Sequence, residues 1–304
     1  MFGRHTRHCQ SLLRFAAVVC VFTLGACASA DDDPAAIDEA AVDEVAETPP
    51  PMLIILKTLG FTKVLGDGKA EGFNLDKRIS STHDKQTCKQ KDLVAPDGTK
   101  GIDNQFAKLV PLLEQTQIGA IHGLVQNAIE DGGLLILLQL EGLDSQQDDD
   151  TVMLRIRLGR GKPLLGTDGL VLSGQTFELH PESPEIAVPA AVKGGVLRGG
   201  PFKIRLPIII FDVLYELTVH DALIRFEFDG DGGVKSGLMG GGVPITDIMT
   251  IAYTAANNGG GIIEAIEPVV TGMGDLNPDA DGKCRRLSAT LDFSGVSAFL
   301  FDQE

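Results

Sequence analysis

Phe202-Lys203-Ile204-Arg205-Leu206-Pro207-Ile208-Ile209-Ile210, followed by Val213-Leu214-Tyr215-Glu216-Leu217-Thr218-Val219-His220, decides the fold. In both runs every second residue is large and apolar. A period of two lines those side chains along one face of a pleated strand, whereas a helix needs a period of 3.6. The intervening Lys203, Arg205, Glu216 and Thr218 mark the other face as solvated, which is the habit of an antiparallel sheet.

The same alternation spreads outward from this stretch. Ile224, Phe226 and Phe228 follow it. Upstream stand Leu134, Ile136, Leu138 and Leu140, then Val152, Leu154, Ile156 and Leu158 with Arg155 and Arg157 opposite. Downstream stand Leu287, Ala289, Leu291 and Phe293. Met52 to Leu65 is apolar and reads as a first strand, and Leu75 to Asp103 is polar and loop-like. Gly194-Gly195, Gly199-Gly200 and Asp229-Gly230-Asp231-Gly232-Gly233 supply turns.

Helical spacing occurs at the edges of this strand-rich region. Asp103 is a candidate N-cap for Phe106, Leu109, Val110 and Leu113. Ile118, Ile121, Val125 and Ile129 repeat the pattern until Gly132-Gly133. Ile245 to Asn257 is a further helix, with Thr246 as cap, Ile248, Ile251, Ala252 and Ala255 facing inward, and Asn257-Asn258-Gly259 as stop. Ile262, Ile266 and Val269 extend another, which Pro268 should kink or shorten. The expected fold is a β-rich α+β domain over residues 52–304: an antiparallel sheet or sandwich with a few short helices, and not a doubly wound one. No internal repeat or second linker divides it.

The first 51 residues are different. Arg4, Arg7 and Arg14 precede an apolar run from Phe15 to Leu24, which ends in Gly25-Ala26. A basic start, a short apolar core and small residues are the layout of a secretory signal, and the run is too short for a bilayer span of roughly 20 residues. With Leu24-Gly25-Ala26-Cys27 at its end, this stretch resembles a bacterial lipoprotein precursor. The resemblance implies removal of residues 1–26, lipidation and acylation of Cys27, and a stable membrane anchor. Ala28-Ser29 after the cysteine, rather than Asp, implies outer-membrane sorting. An ordinary signal peptide with a chance cysteine is the alternative. Residues 27–51 form an acidic tether with eight acids, no base and a Pro49-Pro50-Pro51 end, a composition that builds no core.

Charge excludes some partners. Without the three leader arginines, 23 basic residues face 42 acidic ones, a net −19. Nucleic acid needs a basic footprint, so it is not an expected partner. Tyr215 and Tyr253 are the only tyrosines and there is no Trp, so stacking platforms are poorly supplied. Of five cysteines, Cys9 and Cys20 leave with the leader and Cys27 carries lipid. Cys88 and Cys284 remain, and outside the cell they are expected to pair; two free thiols are the alternative.

No G-x-S-x-G, H-E-x-x-H or Walker motif is present. The mature histidines, His83, His122, His180 and His220, never pair at ligand spacing. Arg155, Arg157, Arg160 and Lys162 make a basic strip, which Asp148-Asp149-Asp150 is expected to offset. Two acidic loops remain. In Asn277-Pro278-Asp279-Ala280-Asp281-Gly282, oxygen ligands at alternate positions precede a glycine, as in half of a Ca²⁺ loop, but position 12 is Ser288 rather than Glu. Asp92 and the stretch Pro96 to Gln105, with Asp97 and Asp103, interleave oxygens and glycines similarly. Each alone is a charged turn as readily as a ligand set. A Cys88–Cys284 bridge would draw the two together, since its Cα atoms lie within about 7 Å. The expectation is a composite Ca²⁺ site, or a pair of adjacent sites, built from Asp92, Asp97, Asp103, Asn277, Asp279 and Asp281.

Pro96-Asp97-Gly98-Thr99-Lys100-Gly101-Ile102-Asp103-Asn104-Gln105, with Pro278-Asp279-Ala280-Asp281-Gly282-Lys283-Cys284, resembles a group of uncharacterised predicted lipoproteins of myxobacterial type. The resemblance covers most of the globular part and implies no activity. The leading functional expectation is a non-enzymatic envelope lipoprotein, a structural or binding module. A carrier or sensor of an apolar ligand is the second reading, and a metal-dependent envelope hydrolase the third.

Overall fold

The computed structural model describes residues 51–301 apart from 86–87, 115–120, 211–212 and 258–262. The leader, Cys27, the acidic tether, Ile118, Asn258, Gly259 and Ile262 lie outside the described residues.

The chain runs β1 (Met52–Phe61), β2 (Leu93–Val94), β3 (Lys100–Ile102), a 3-10 turn (Gln105–Lys108), α1 (Val110–Leu113), α2 (Ile121–Glu130), β4 (Leu135–Glu141), β5 (Asp148–Arg160), β6 (Gln175–Leu179), β7 (Ile186–Lys193), β8 (Val196–Ile210) and β9 (Val213–Phe228). It continues through β10 (Val234–Pro244), α3 (Ile245–Asn257), α4 (Ile263–Gly272), β11 (Leu276–Pro278) and β12 (Cys284–Leu300). The β-rich α+β class expected from the alternation is what forms. The opening stretch becomes β8 and β9, paired antiparallel from Val196↔Glu227 to Ile210↔Val213.

The sheet closes on itself. Pairing runs β1-β4-β5-β7-β8-β9-β10-β12 and returns to β1, every step antiparallel. The closing seam joins the first and last strands, from Leu53↔Ala298 to Phe61↔Leu291. β6 crosses one end of this ring: it pairs with β5 at Gly159↔Leu179 and, in parallel, with β12 at Ala298↔Gln175. The register shifts between Leu56 and Thr58 on β1 and between Val234 and Gly237 on β10, the kind of irregularity that adds local twist to a strand pair.

The core follows from the alternation. Leu154, Ile156, Leu197, Ile204, Leu217, Ile224 and Phe226 are buried from single-faced strands. β1 and β4 are buried on both faces over most of their length. α2 packs against both β1 and β8, which lie opposite each other in the ring, so it lies across the ring. Its Val125 and Ile129 are buried while Gly123 and Asn127 are exposed.

Six strands are not legible from the pattern: the two- and three-residue β2, β3 and β11, which fall in stretches read as loop or turn, and β6, β7 and β10. β10 carries Gly237, Gly240, Gly241 and Gly242, which local propensity assigns to a loop. A Cβ on Gly237 would lie 2.3 Å from the Phe293 ring, so neighbouring side chains occupy the space that glycine leaves. β7 alternates Ile186, Val188, Ala190 and Val192, but Pro189 interrupts it, and β6 is only five residues long. The expected first amphipathic helix is a 3-10 turn followed by the one-turn α1. α4 runs through Pro268 rather than stopping there.

Candidate functional site

Most of the fold's buried polar groups gather at the end of the barrel where β12 begins. The segment after β1 folds back over this end, and the Cys88–Cys284 disulfide ties it down with Cα atoms 5.9 Å apart. Cys88 Sγ also lies 3.4 Å from the Gly282 carbonyl. Gln90 Nε2 donates to Gly272 O at 2.8 Å, a second fastening to the end of α4.

Behind the disulfide lie three buried carboxyls: Asp92, Asp103 and Asp275. Asp103 is placed by an isolated β-bridge to Phe73. Its Oδ2 accepts from Leu75 N at 2.7 Å and Asp76 N at 3.2 Å. It is therefore not the helix cap expected from sequence. That role falls to Asn104, whose side chain accepts from Ala107 N. The tertiary contact with residues 73–76 takes the Asp103 carboxylate, and the next residue caps instead.

Asp275 follows α4 and faces β12. Its Oδ1 accepts from Ser288 N at 2.8 Å and its Oδ2 from Ser288 Oγ at 2.5 Å. Ser288 Oγ in turn accepts from Gln105 N at 2.8 Å. Gln105 is fully buried; its Nε2 donates to Lys91 O at 2.9 Å and its Oε1 accepts from Lys108 Nζ. Asp92 Oδ2 accepts from Ser80 N at 2.5 Å, and its carboxyl lies within hydrogen-bonding reach of Asp103.

Electrostatics follow from this crowding. Burial, then the charges of Asp76 and Asp275, push the Asp103 carboxyl up to about 8. Burial pushes Asp275 up to about 7, against the hydrogen bonds from Ser288. Burial also raises Asp92. Neighbouring carboxylates cannot all ionise away from water, so the cluster holds protons that free aspartates would release. Lys108 is the cation facing it; burial lowers its ammonium, while Asp275 and Asp92 pull it back up.

The six residues expected to form one composite Ca²⁺ site or two adjacent ones divide into three places. Asp92 and Asp103 enter the buried cluster. Asp97 sits in its own turn, accepting from Thr99 N at 2.8 Å, and lines a different crevice with Glu71 and Arg225. Asp279 accepts from Asp281 N and Lys283 N, each at 2.9 Å, and forms an ion pair with Arg285. Those contacts hold its carboxyl below the usual range, with the Lys283 amide the largest cause. Asn277, on β11 at φ +57°, and the exposed Asp281 flank this turn. Among the described residues no three His, Cys, Asp or Glu side chains are grouped to hold a metal ion.

Asp275, Gln105, Lys108 and Ser288 were not legible as site residues. Asp275 has no local motif, and the hydrogen-bond partner of its side chain, Ser288, stands 13 residues along the chain. Three of the four cations of the basic strip are offset, but by other acids than expected. Arg155 pairs with Glu141, Arg160 with Glu178 and Lys162 with Asp131, while Asp150 pairs with Lys193.

Chemically, the cluster binds protons and backbone amides. None of its three carboxyls lines the ≈ 600 Å³ crevice beside the disulfide, which is bordered by His220, Thr246, Lys283 and Arg286. Its geometry suits holding loops together. Compared with known proteins, the chain matches no family model, no curated protein and no solved structure.

Proposed function

We propose that this protein is a non-enzymatic cell-envelope lipoprotein, anchored through lipidated Cys27 in the outer membrane, whose globular part is a structural or binding module. The observation that carries this reading is the Cys88–Cys284 bridge. Disulfides persist in oxidising compartments, so the bridge agrees with export by the Leu24-Gly25-Ala26-Cys27 signal. The buried carboxyl cluster adds support: its acids serve backbone amides and one another, away from solvent. Fatty-acid labelling and membrane fractionation test the anchor. The wild-type chain should take up label and sediment with outer membranes, and Cys27→Ser should do neither. Labelling that survives the substitution would overturn the reading.

Ca²⁺ remains part of the proposal as a stabiliser of the stapled loops. Melting in excess Ca²⁺ and in EDTA tests it, and superimposable curves would remove it.

A second reading, a carrier of an apolar ligand, is favoured by one feature. β8 pairs with β7 only over Val196 to Gly199. Where it diverges, a crevice of ≈ 720 Å³ forms, lined by Leu135, Leu158, Ile186 and Leu214 and by the cations Lys203 and Arg205. A volume of several hundred Å³ is in the range of small-molecule sites. Lipid recovered by extracting the purified protein would favour the carrier; extracts free of lipid would leave the first reading alone.

A further inference from the structure

Large apolar side chains are exposed at the end of the barrel opposite the disulfide. Leu164 is 68% exposed, Leu172 46%, Phe299 59% and Phe301 58%. They come from two separate elements. Leu164 and Leu172 face each other across a small hairpin, closed by Leu172 N donating to Leu164 O at 3.1 Å, by Gly166 N donating to Leu170 O at 2.8 Å, and by a Leu165↔Val171 bridge. Phe299 and Phe301 end β12 and its extension. β6 joins the two: the Gln175 side chain holds both hairpin arms through Leu164 and Leu172, and Thr176 pairs with Phe299.

The chain enters the fold at this same end. Leu53 pairs with Ala298, so Pro51 and Met52, which receive the segment from Cys27, begin beside Phe299. Exposed apolar patches on two converging elements mark an interaction surface, because a monomer without a partner gains nothing by leaving them in water. Charge narrows the partner. From Pro163 to Gln175 the only ionisable residue is Asp168, and Phe299 to Phe301 has none. The eight tether acids would repel an anionic surface.

We propose that this end is a bilayer-docking face, in which Leu164, Leu172, Phe299 and Phe301 enter the interface of a zwitterionic lipid surface. The proposal rests on the lipid-anchored reading above and goes beyond it. Twenty-five residues, from 27 to 51, span at most ~85 Å when extended, so the tether alone fixes neither distance nor orientation. The apolar end would do both, laying the domain against the membrane rather than holding it off.

The test uses the full lipidated chain in phosphatidylcholine–phosphatidylethanolamine vesicles. An environment-sensitive fluorophore is placed at Leu164→Cys, and in a second sample at Thr246→Cys, an exposed position at the far end. The other mature cysteines are lipidated or disulfide-bonded on this reading, so labelling is specific. The expected result is a blue shift, with quenching by brominated lipid, at position 164 and not at 246. Phe299→Ser with Phe301→Ser should abolish that shift while the protein still floats with the vesicles. Flotation with an unshifted label at 164 would overturn the docking face and leave the anchor standing. Failure to float would overturn the anchored reading, and the face with it. A concentration-dependent shift in the unanchored Cys27→Ala chain without vesicles would assign the patch to a second copy instead.

Discussion

Asp103 and Asp275 give this protein a pH dependence of definite sign. Both hold their protons to about 8 and about 7 in the fold, against roughly 4 in an unfolded chain. Between those values the folded state binds more protons than the unfolded one. The stability these groups contribute is therefore complete below pH 4 and is lost as pH rises through 7 and 8. Urea unfolding at pH 5, 6, 7 and 8 should show stability from these groups falling with pH, with an upper bound of ~1.4 kcal/mol per unit for each shifted proton. Asp103→Asn and Asp275→Asn should each flatten that slope; an unchanged slope would show that the carboxyls titrate normally. Asp275→Ala differs, because it leaves the Ser288 amide and hydroxyl without their buried acceptor. At pH 5, where the Asp275 carboxyl is protonated, a loss of about 1–3 kcal/mol is expected, and it should shrink towards pH 8 because alanine also removes the shifted proton. The choice of helix cap belongs to this scale as well. Asp103 and Asn104 are equally good caps by residue type, and only the distant Phe73–Asp76 segment chooses between them.

Among the elements, β10 shows most clearly where pattern gives way to packing. A glycine-rich strand is weak by itself, yet here it is buried and paired on both sides, to β9 and to β12. Gly237→Ala would bring a Cβ to 2.3 Å from the buried Phe293 ring. Thermal or urea melts should show a loss of about 1–3 kcal/mol, as for other overpacked cores. In a Phe293→Leu background the same substitution should cost less, and equal costs in both backgrounds would refute the steric explanation. α2 offers the opposite test. Ile129 is 1% exposed on a helix that crosses the ring, so Ile129→Ala should destabilise by about 2–5 kcal/mol. Asn127→Ala, on the exposed face, should be nearly silent.

For the whole molecule, closure is the governing fact. β1 and β12, the first and last strands among the described residues, form the seam of the ring. The disulfide, with a sequence separation of 196, fastens the other end of β12 to the segment after β1. A cross-link over so long a loop restricts the unfolded chain strongly. Cys88→Ala with Cys284→Ala should therefore lose about 2–5 kcal/mol, read as a shift in the urea midpoint. Dithiothreitol should produce the same shift in the wild-type chain and none in the double variant. A full-length barrel with an unchanged midpoint after reduction would show that the strand seam alone carries the closure.

The sequence by itself determined the class of fold, the strands with unbroken alternation, the two ends of α2 and α3 to within a few residues, and the cysteine pair. Those features rest on local periodicity or on elimination, which a linear chain records directly. The alternation of Val152 to Leu158, or of Phe202 to Leu206, needs no partner to be legible. Only the tertiary structure decided that the sheet closes, that glycine-rich β10 is a strand, and that Asp92 and Asp103 turn inward to meet Asp275 while Asp97 and Asp279 turn away. Each of those outcomes depends on groups far apart in sequence. A carboxylate takes its partner from whatever backbone amide packing brings near, and a glycine becomes a strand residue when a phenylalanine from another strand fills its missing side chain.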